Sequence, residues 1–241
     1  MNIQPQSGLG DLLYTLPLLH ALSKNENVTV ATNHPYVLER LSEHVKISVC
    51  PVQFGAGGFP VLNDTFTHLR YDKGGAHYFE KYYTPFTSIP LEESVKAARE
   101  IYTRDRTRLV DIPYTVYAPP RAACRHKEKT NFEKFVCSPD PDYADKIIKS
   151  YNSPVVIVGN DDVYNNFVMP DNAIDLRDNL NFESLCDIIY YADVVVSQAS
   201  AITALSGLFA IPTRFLKAAS ETDESHKNHI ASVVWQGQTV L

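Results

Sequence analysis

No run in this chain approaches the ~18 consecutive apolar residues that a membrane-spanning helix needs, so a helical membrane span is not expected. Cysteine is sparse and scattered. Cys50, Cys124, Cys137 and Cys186 are the only four in 241 residues, and none forms a Cys-x-x-Cys pair. That spacing argues against a zinc knuckle and for reduced thiols. Positive charge is in deficit, with 22 Lys and Arg against 28 Asp and Glu for a net charge of −6. The surface as a whole therefore does not draw in nucleic acid, although a local basic patch is compatible with it. The opening residues lack the basic flank and unbroken apolar core of a signal peptide, and the expected location is the cytoplasm. No internal repeat and no low-complexity tract is present. His226 and His229 fall in a polar helix with no evident carboxylate or cysteine partner nearby, so no metal is expected there.

What remains is a composition of 44% apolar and 21% charged residues, suited to one large or two small α/β domains. Apolar residues at 12, 13, 16 and 19 fit a helix packed on a sheet. Val28 to Thr32 reads as a strand, Pro35 to Leu41 as a short helix, and Val45 to Val49 as another strand. Together with the opening unit this is the β-α-β-α-β start of a parallel sheet. Thr67 to Tyr71 reads as a strand and Leu91 to Tyr102 as a helix. The aromatics Tyr78, Phe79, Tyr82, Tyr83 and Phe86 fit either a docking surface for a sugar-like acceptor or packing under a loop.

The charged alternation around Arg104, Arg106 and Arg108 leads to Asp111-Ile112-Pro113, which places a domain boundary at 112/113. A second α/β unit then follows, with strands at Tyr114–Ala118, Val155–Gly159, Asn172–Leu176, Val194–Val196 and Thr213–Leu216. Its helices fall at Asp142–Tyr151, Phe182–Ala192 and Ser200–Leu208. Trp235 is expected in a C-terminal helix packing back across the domain interface.

Two loops carry the chemistry. Ser7-Gly8-Leu9-Gly10-Asp11 precedes the first helix, where Gly8 and Gly10 allow a tight turn and close approach by a ligand. Asp11 follows where its carboxylate can face whatever the loop holds, or can serve as a helix cap. Gly159 ends the clearest buried strand at a point where a ligand can approach.

Gly8-Leu9-Gly10-Asp11 with its Leu-Pro-Leu-Leu-x-Ala-Leu continuation resembles the N-terminal signature of glycosyltransferase family 9, the lipopolysaccharide heptosyltransferases. Ala192-Asp193-Val194-Val195-Val196-Ser197-Gln198-Ala199-Ser200, with the small-residue helix and Ile211-Pro212-Thr213, resembles that family's C-terminal nucleotide-sugar motif. The resemblance implies an α/β fold of GT-B type. Residues 1–112 would form a Rossmann-like acceptor domain and residues 113–241 a Rossmann-like nucleotide-sugar domain.

It further implies an inverting, metal-independent glycosyltransferase with Asp11 as catalytic base, no cofactor, and a nucleotide-sugar donor as substrate. Ser200 and Ala201 would open the helix that faces the donor diphosphate. The loop of Arg121, Arg125 and Lys127 stands where the family places a phosphate-binding lysine, and Leu180 stands where it packs the base. The family's Asp before the Ser/Thr of this motif is Ala199 here, and its His four residues after is Ala204. Gln198, Ser200 and Thr203 are then the nearest polar groups for the sugar. The stretch from Gly55 to Ile112 shows no recognisable likeness. The acceptor class stays open between a glycan and a hydroxymethylated DNA base. A non-catalytic nucleotide- or sugar-binding descendant and a sugar epimerase of related fold are the alternatives.

Overall fold

The structure is a computed structural model that describes residues 1–5, 8–44, 46–52, 65–69, 83, 85–119, 141–159, 169–218 and 221–241. The chain divides into two compact units, Met1–Arg104 and Asp105–Leu241.

The first unit runs β1 (Asn2–Pro5), α1 (Leu9–Ser23), β2 (Val28–Ala31), a 3-10 turn (Pro35–Leu38) leading into α2 (Glu39–Ser42), β3 (Ile47–Cys50), β4 (Thr67–Leu69) and α3 (Leu91–Thr103). Its sheet has the order β3-β2-β1-β4, with every pairing parallel. Parallel neighbours require crossovers, and a parallel sheet is stable only with its faces covered. That explains why α1 is buried continuously from Leu12 to Ser23. One of its coverings is α3, whose buried residues Val95, Ala98, Ile101 and Tyr102 recur at helical spacing. Pro17 lies inside α1 and removes the N–H that would bond the Leu13 carbonyl. A helix packed this completely tolerates the loss.

The second unit runs β5 (Thr115–Ala118), α4 (Pro141–Lys149), β6 (Val155–Ile157), β7 (Ala173–Asp175), α5 (Phe182–Tyr190), β8 (Val194–Ser197), α6 (Ala201–Leu208), β9 (Thr213–Phe215) and α7 (Asp223–Val233). The strand order β7-β6-β5-β8-β9 is again wholly parallel. Tyr117, Ile157 and Val196 meet Ala144 and Ile148 of α4 in one core cluster. Beyond β9, Thr213 bridges to Val240, with Thr213 N–H donating to Thr239 O and Leu241 N–H to Thr213 O.

The division along the chain falls after Arg104, ahead of the boundary expected from Asp111-Ile112-Pro113. The reason is Arg106, one member of the charged alternation that precedes the expected boundary. Its side chain is 1% exposed and pairs with Glu183 at 2.9 Å and Asp187 at 3.1 Å, both on α5. Its carbonyl accepts the Tyr191 hydroxyl, and the Thr107 N–H also reaches Asp187. These contacts tie the segment after Arg104 to the second unit.

Trp235 differs from expectation as well. It follows α7 and is fully buried within the second unit, against Gly207 of α6. A methyl added at Gly207 would lie 2.1 Å from Trp235 Cδ1. Gly207→Ala should therefore destabilise the second unit by about 1–3 kcal/mol through overpacking, despite the roughly 1 kcal/mol of helix propensity that alanine adds. Urea denaturation followed by fluorescence of this single tryptophan should show a lowered midpoint and a red-shifted native emission. An unchanged midpoint would mean that the indole moves aside freely.

Candidate active site

In an open parallel sheet, ligands bind outside the carboxyl ends of the strands where the strand order reverses. In the first unit that point lies between β1 and β4, and β1 leads through Gly8 to Asp11. In the second it lies between β5 and β8, and β8 leads through Ser197 to Ser200. The two loops thus follow strands that flank these points.

Gly8 is the N-cap of α1 with an ordinary extended backbone, φ −83° and ψ 148°, and Gly10 is already the second helical residue. The tight Gly-x-Gly turn expected from the sequence is not what these glycines form. Gly8 serves another need. Its N–H donates to Asp11 Oδ2 at 3.2 Å, and a Cβ at this position would lie 2.7 Å from the same oxygen. Glycine is what lets the carboxylate fold back over the helix start, where the unpaired N–H groups favour negative charge. Asp11 nevertheless has its pKa pushed up to about 6 from the usual 3.8, because burial penalises the anion more than the Gly8 N–H favours it. This carboxyl titrates just below neutrality.

In the second unit, Ser197 is 1% exposed at the end of β8. Its hydroxyl lies 3.4 Å from the Ala118 carbonyl oxygen on β5 and 3.3 Å from the Ser200 hydroxyl, which joins the two strands flanking the switch point. Ser200 caps α6, its Oγ accepting the Ile202 N–H at 3.2 Å. Thr203 completes the cap, accepting the Ser200 N–H and donating to the Ser200 carbonyl, both at 2.8 Å. Fully buried and so engaged, Thr203 shapes the helix start and has no hydroxyl turned toward solvent.

Gln198, Ala199, Ser200 and Ala201 are half-buried, and the Gln198 side chain makes no hydrogen bond to the described residues. Ala204 is wholly buried beneath this turn. An imidazole at that position would have to displace the core, so the small residue here belongs to the packing.

Gly159 follows β6 with φ +109° and nothing within 4 Å of where a Cβ would stand. This is open space in a backbone conformation that favours glycine. The Gly159 carbonyl accepts the Asp178 N–H at 3.0 Å, tying the loop after β6 to the loop after β7. Leu180, half-buried, stands in that second loop just before Asn181, which caps α5. Gly159, Leu180 and the Ser197–Ser200 turn thus share the carboxyl edge of one sheet. Arg121, Arg125 and Lys127, with Tyr78, Phe79 and Tyr82, lie outside the described residues. Tyr83 is buried, and its hydroxyl donates to Ser94 Oγ, which makes it a packing residue.

The carboxylate that the sequence reading did not find near His226 and His229 is Glu221. Its two oxygens take His226 Nδ1 at 3.0 Å and His229 Nδ1 at 2.9 Å, and one also accepts the Ala218 N–H. The signal lay in the loop before the Thr222 cap, outside the helix. Among the described residues no group of three His, Cys, Asp or Glu side chains is placed to hold a metal ion.

No protein-family model matches the sequence, and no curated protein does. Solved structures match the fold. The iron-containing dodecameric glycosyltransferase TibC of enterotoxigenic E. coli superposes with a TM-score of 0.58 at 15% identity, over 99% of this chain and 63% of TibC. This chain therefore spans just under two thirds of that protein's length. The E. coli heptosyltransferase WaaC, solved with ADP, gives a TM-score of 0.58 at 11% identity, over 99% of this chain and 92% of that one. A family 9 glycosyltransferase of Veillonella parvula gives 0.53 at 15% identity, over 100% of this chain and 86% of the other. The fold is thus an α/β fold of GT-B type, with two wholly parallel sheets. The structures named above include a heptosyltransferase and a family 9 glycosyltransferase.

The raised Asp11 pKa has a consequence for stability. An unfolded carboxyl ionises near 3.9 and the folded one near 6, so the native state binds more protons between these values. Stability falls as pH rises through that window, and the cost is complete above it, at most about 3 kcal/mol. Asp11→Asn keeps an acceptor for the Gly8 N–H and removes the cost. It should stabilise the protein at pH 8 and match the parent below pH 4, as read from urea midpoints across pH. A variant less stable than the parent at pH 8 would mean that the anion is favoured where it stands.

Proposed function

We propose that this protein is a glycosyltransferase that moves a sugar from a nucleotide-sugar donor to an acceptor hydroxyl, with inversion and without a metal. The observation that carries the reading is Asp11. It is a partly buried acid at the carboxyl end of the first strand, poised near neutral pH, in a fold shared with nucleotide-sugar enzymes. A sugar hydroxyl is a weak nucleophile, and a carboxylate of raised pKa is a stronger base than an ordinary one while still ionised at pH 7.

Asp11 takes the hydroxyl proton as that oxygen bonds to the anomeric carbon. The bond from that carbon to the diphosphate oxygen breaks, and its electron pair leaves with the nucleoside diphosphate. The second unit supplies the donor site. The N–H groups opening α6 at Ser200 and Ala201 suit the developing negative charge, and Arg121, Arg125 and Lys127 are the cations assigned to it. The half-buried Gln198 amide and Ser200 hydroxyl select the sugar by neutral hydrogen bonds. Leu180 and Gly159 border the nucleoside. The assigned location is the cytoplasm.

A non-catalytic descendant is favoured by one observation. Ala199 and the packed Ala204 replace the Asp and His of the family motif, so donor grip falls to fewer polar groups.

A panel of UDP-, GDP-, ADP- and CMP-sugars with mass-spectrometric detection separates the two readings, since a parent that binds nucleotide yet consumes no donor is the descendant. If transfer occurs, kcat/KM should rise about tenfold per pH unit below the Asp11 pKa and level off above about 7. Asp11→Asn should cut turnover by about 10²-fold or more with nucleotide affinity nearly unchanged. Equal turnover in variant and parent would remove Asp11 from the mechanism. Gln198→Ala combined with Ser200→Ala should abolish transfer in a protein that remains folded by circular dichroism, and retained transfer would move the sugar site elsewhere.

A further inference from the structure

Gly8 is held at both ends of its backbone. Its carbonyl accepts the Leu12 N–H at 3.2 Å, the bond that opens α1, and its N–H donates to Asp11 Oδ2, also at 3.2 Å. Burial of α1 from Leu12 onward fixes the helix start in the core, so Gly8 and the Asp11 backbone form a rigid frame. Within it the Asp11 carboxylate makes no other hydrogen bond to the described residues, which leaves Oδ1 bare.

The backbone itself does not require glycine at this position. Its φ of −83° and ψ of 148° are open to residues with a side chain. What excludes a side chain is the carboxylate, since a Cβ would stand 2.7 Å from Asp11 Oδ2 and 3.7 Å from Asp11 Cγ. The crowded atom is the end of a short side chain. An alanine would therefore be accommodated by turning the carboxylate, with the helix left in place. Alanine keeps the N–H and takes away only the room beside it.

A carboxylate with one oxygen hydrogen-bonded and the other bare has two unequal oxygens. The bare one is the more basic. Protonation there leaves Oδ2 as the carbonyl oxygen of the acid, still accepting the Gly8 N–H. The group is thus held in one place before and after it takes a proton, which is the geometric demand on a base.

We infer that Gly8 is a positioning residue, whose N–H and missing Cβ together fix the Asp11 carboxylate so that Oδ1 takes the proton of the acceptor hydroxyl. This rests on the reading of Asp11 as the base, and adds which oxygen works and what holds it.

The test is Gly8→Ala on the full chain, with the backbone amide at this position followed by NMR across pH and sugar transfer followed by mass spectrometry. In the parent the Gly8 amide should shift with a midpoint of about 6, that of the Asp11 carboxyl, and in Asp11→Asn this titration should be absent. Gly8→Ala should match the parent by circular dichroism and lose most of the amide titration. Its kcat should fall by roughly ten- to a hundredfold with the donor KM nearly unchanged. Added to Asp11→Asn it should cost no further turnover, because both substitutions remove the same base. A Gly8 amide that does not titrate near 6 in the parent overturns the proposal at its root, whether or not the variant folds. So does parent-like titration or parent-like kcat in Gly8→Ala, or losses that multiply in the double variant. If the parent transfers no sugar, loss of the amide titration in Gly8→Ala upholds the hold of Gly8 on the carboxylate and removes the transfer reading alone.

Discussion

Parallel strand pairing is the constraint on which the rest of this protein depends. Among the described residues, each strand pairing in the two sheets joins parallel neighbours. Every connection must therefore cross over, and the loops that follow strands collect on one edge of each sheet. Gly8 and Asp11, Gly159, Leu180, and Ser197 through Ser200 all stand at carboxyl ends of strands for that reason. Their chemistry is local, but their gathering is a property of the sheets.

The cost of the arrangement falls on a few residues. α1 carries no polar stripe and contains a proline, and its burial from Leu12 to Ser23 offsets both departures from good helix design. Asp11, at the head of that helix, is held where ionisation is unfavourable. The second unit spends its small residues differently. Gly207 makes room for an indole, Ala204 fills the core under the α6 cap, and Thr203 closes that cap. The two alanines that differ from the family motif are therefore not equivalent, because Ala204 is packed whereas Ala199 is half-buried beside Gln198.

Much of this was legible in the sequence. The β-branched runs at Val28, Val155 and Val194 marked strands, and the apolar spacing after Asp11 marked α1, because burial on a sheet leaves a periodic imprint. The Gly8 contribution was not legible. A glycine needed for a positive φ and one needed to clear a neighbouring carboxylate are the same letter, and only the Asp11 contact tells them apart. The role of Arg106 was not legible, because its partners, Glu183 and Asp187, are some eighty residues away. Glu221 was missed for the opposite reason, lying close to His226 and His229 but outside their helix.

The bridge from Thr213 to Val240 has a consequence for assembly. β9 lies at one end of the order in its sheet, and an uncovered end strand offers a row of N–H and C=O groups to any extended chain. Here Thr239 and Leu241 already engage the Thr213 backbone, so the row is occupied at its start. Extension of this sheet by a strand from another molecule is blocked there unless the segment first peels away. β7 stands at the other end of the order, whereas contacts on the helical faces would be made by side chains and are correspondingly more selective.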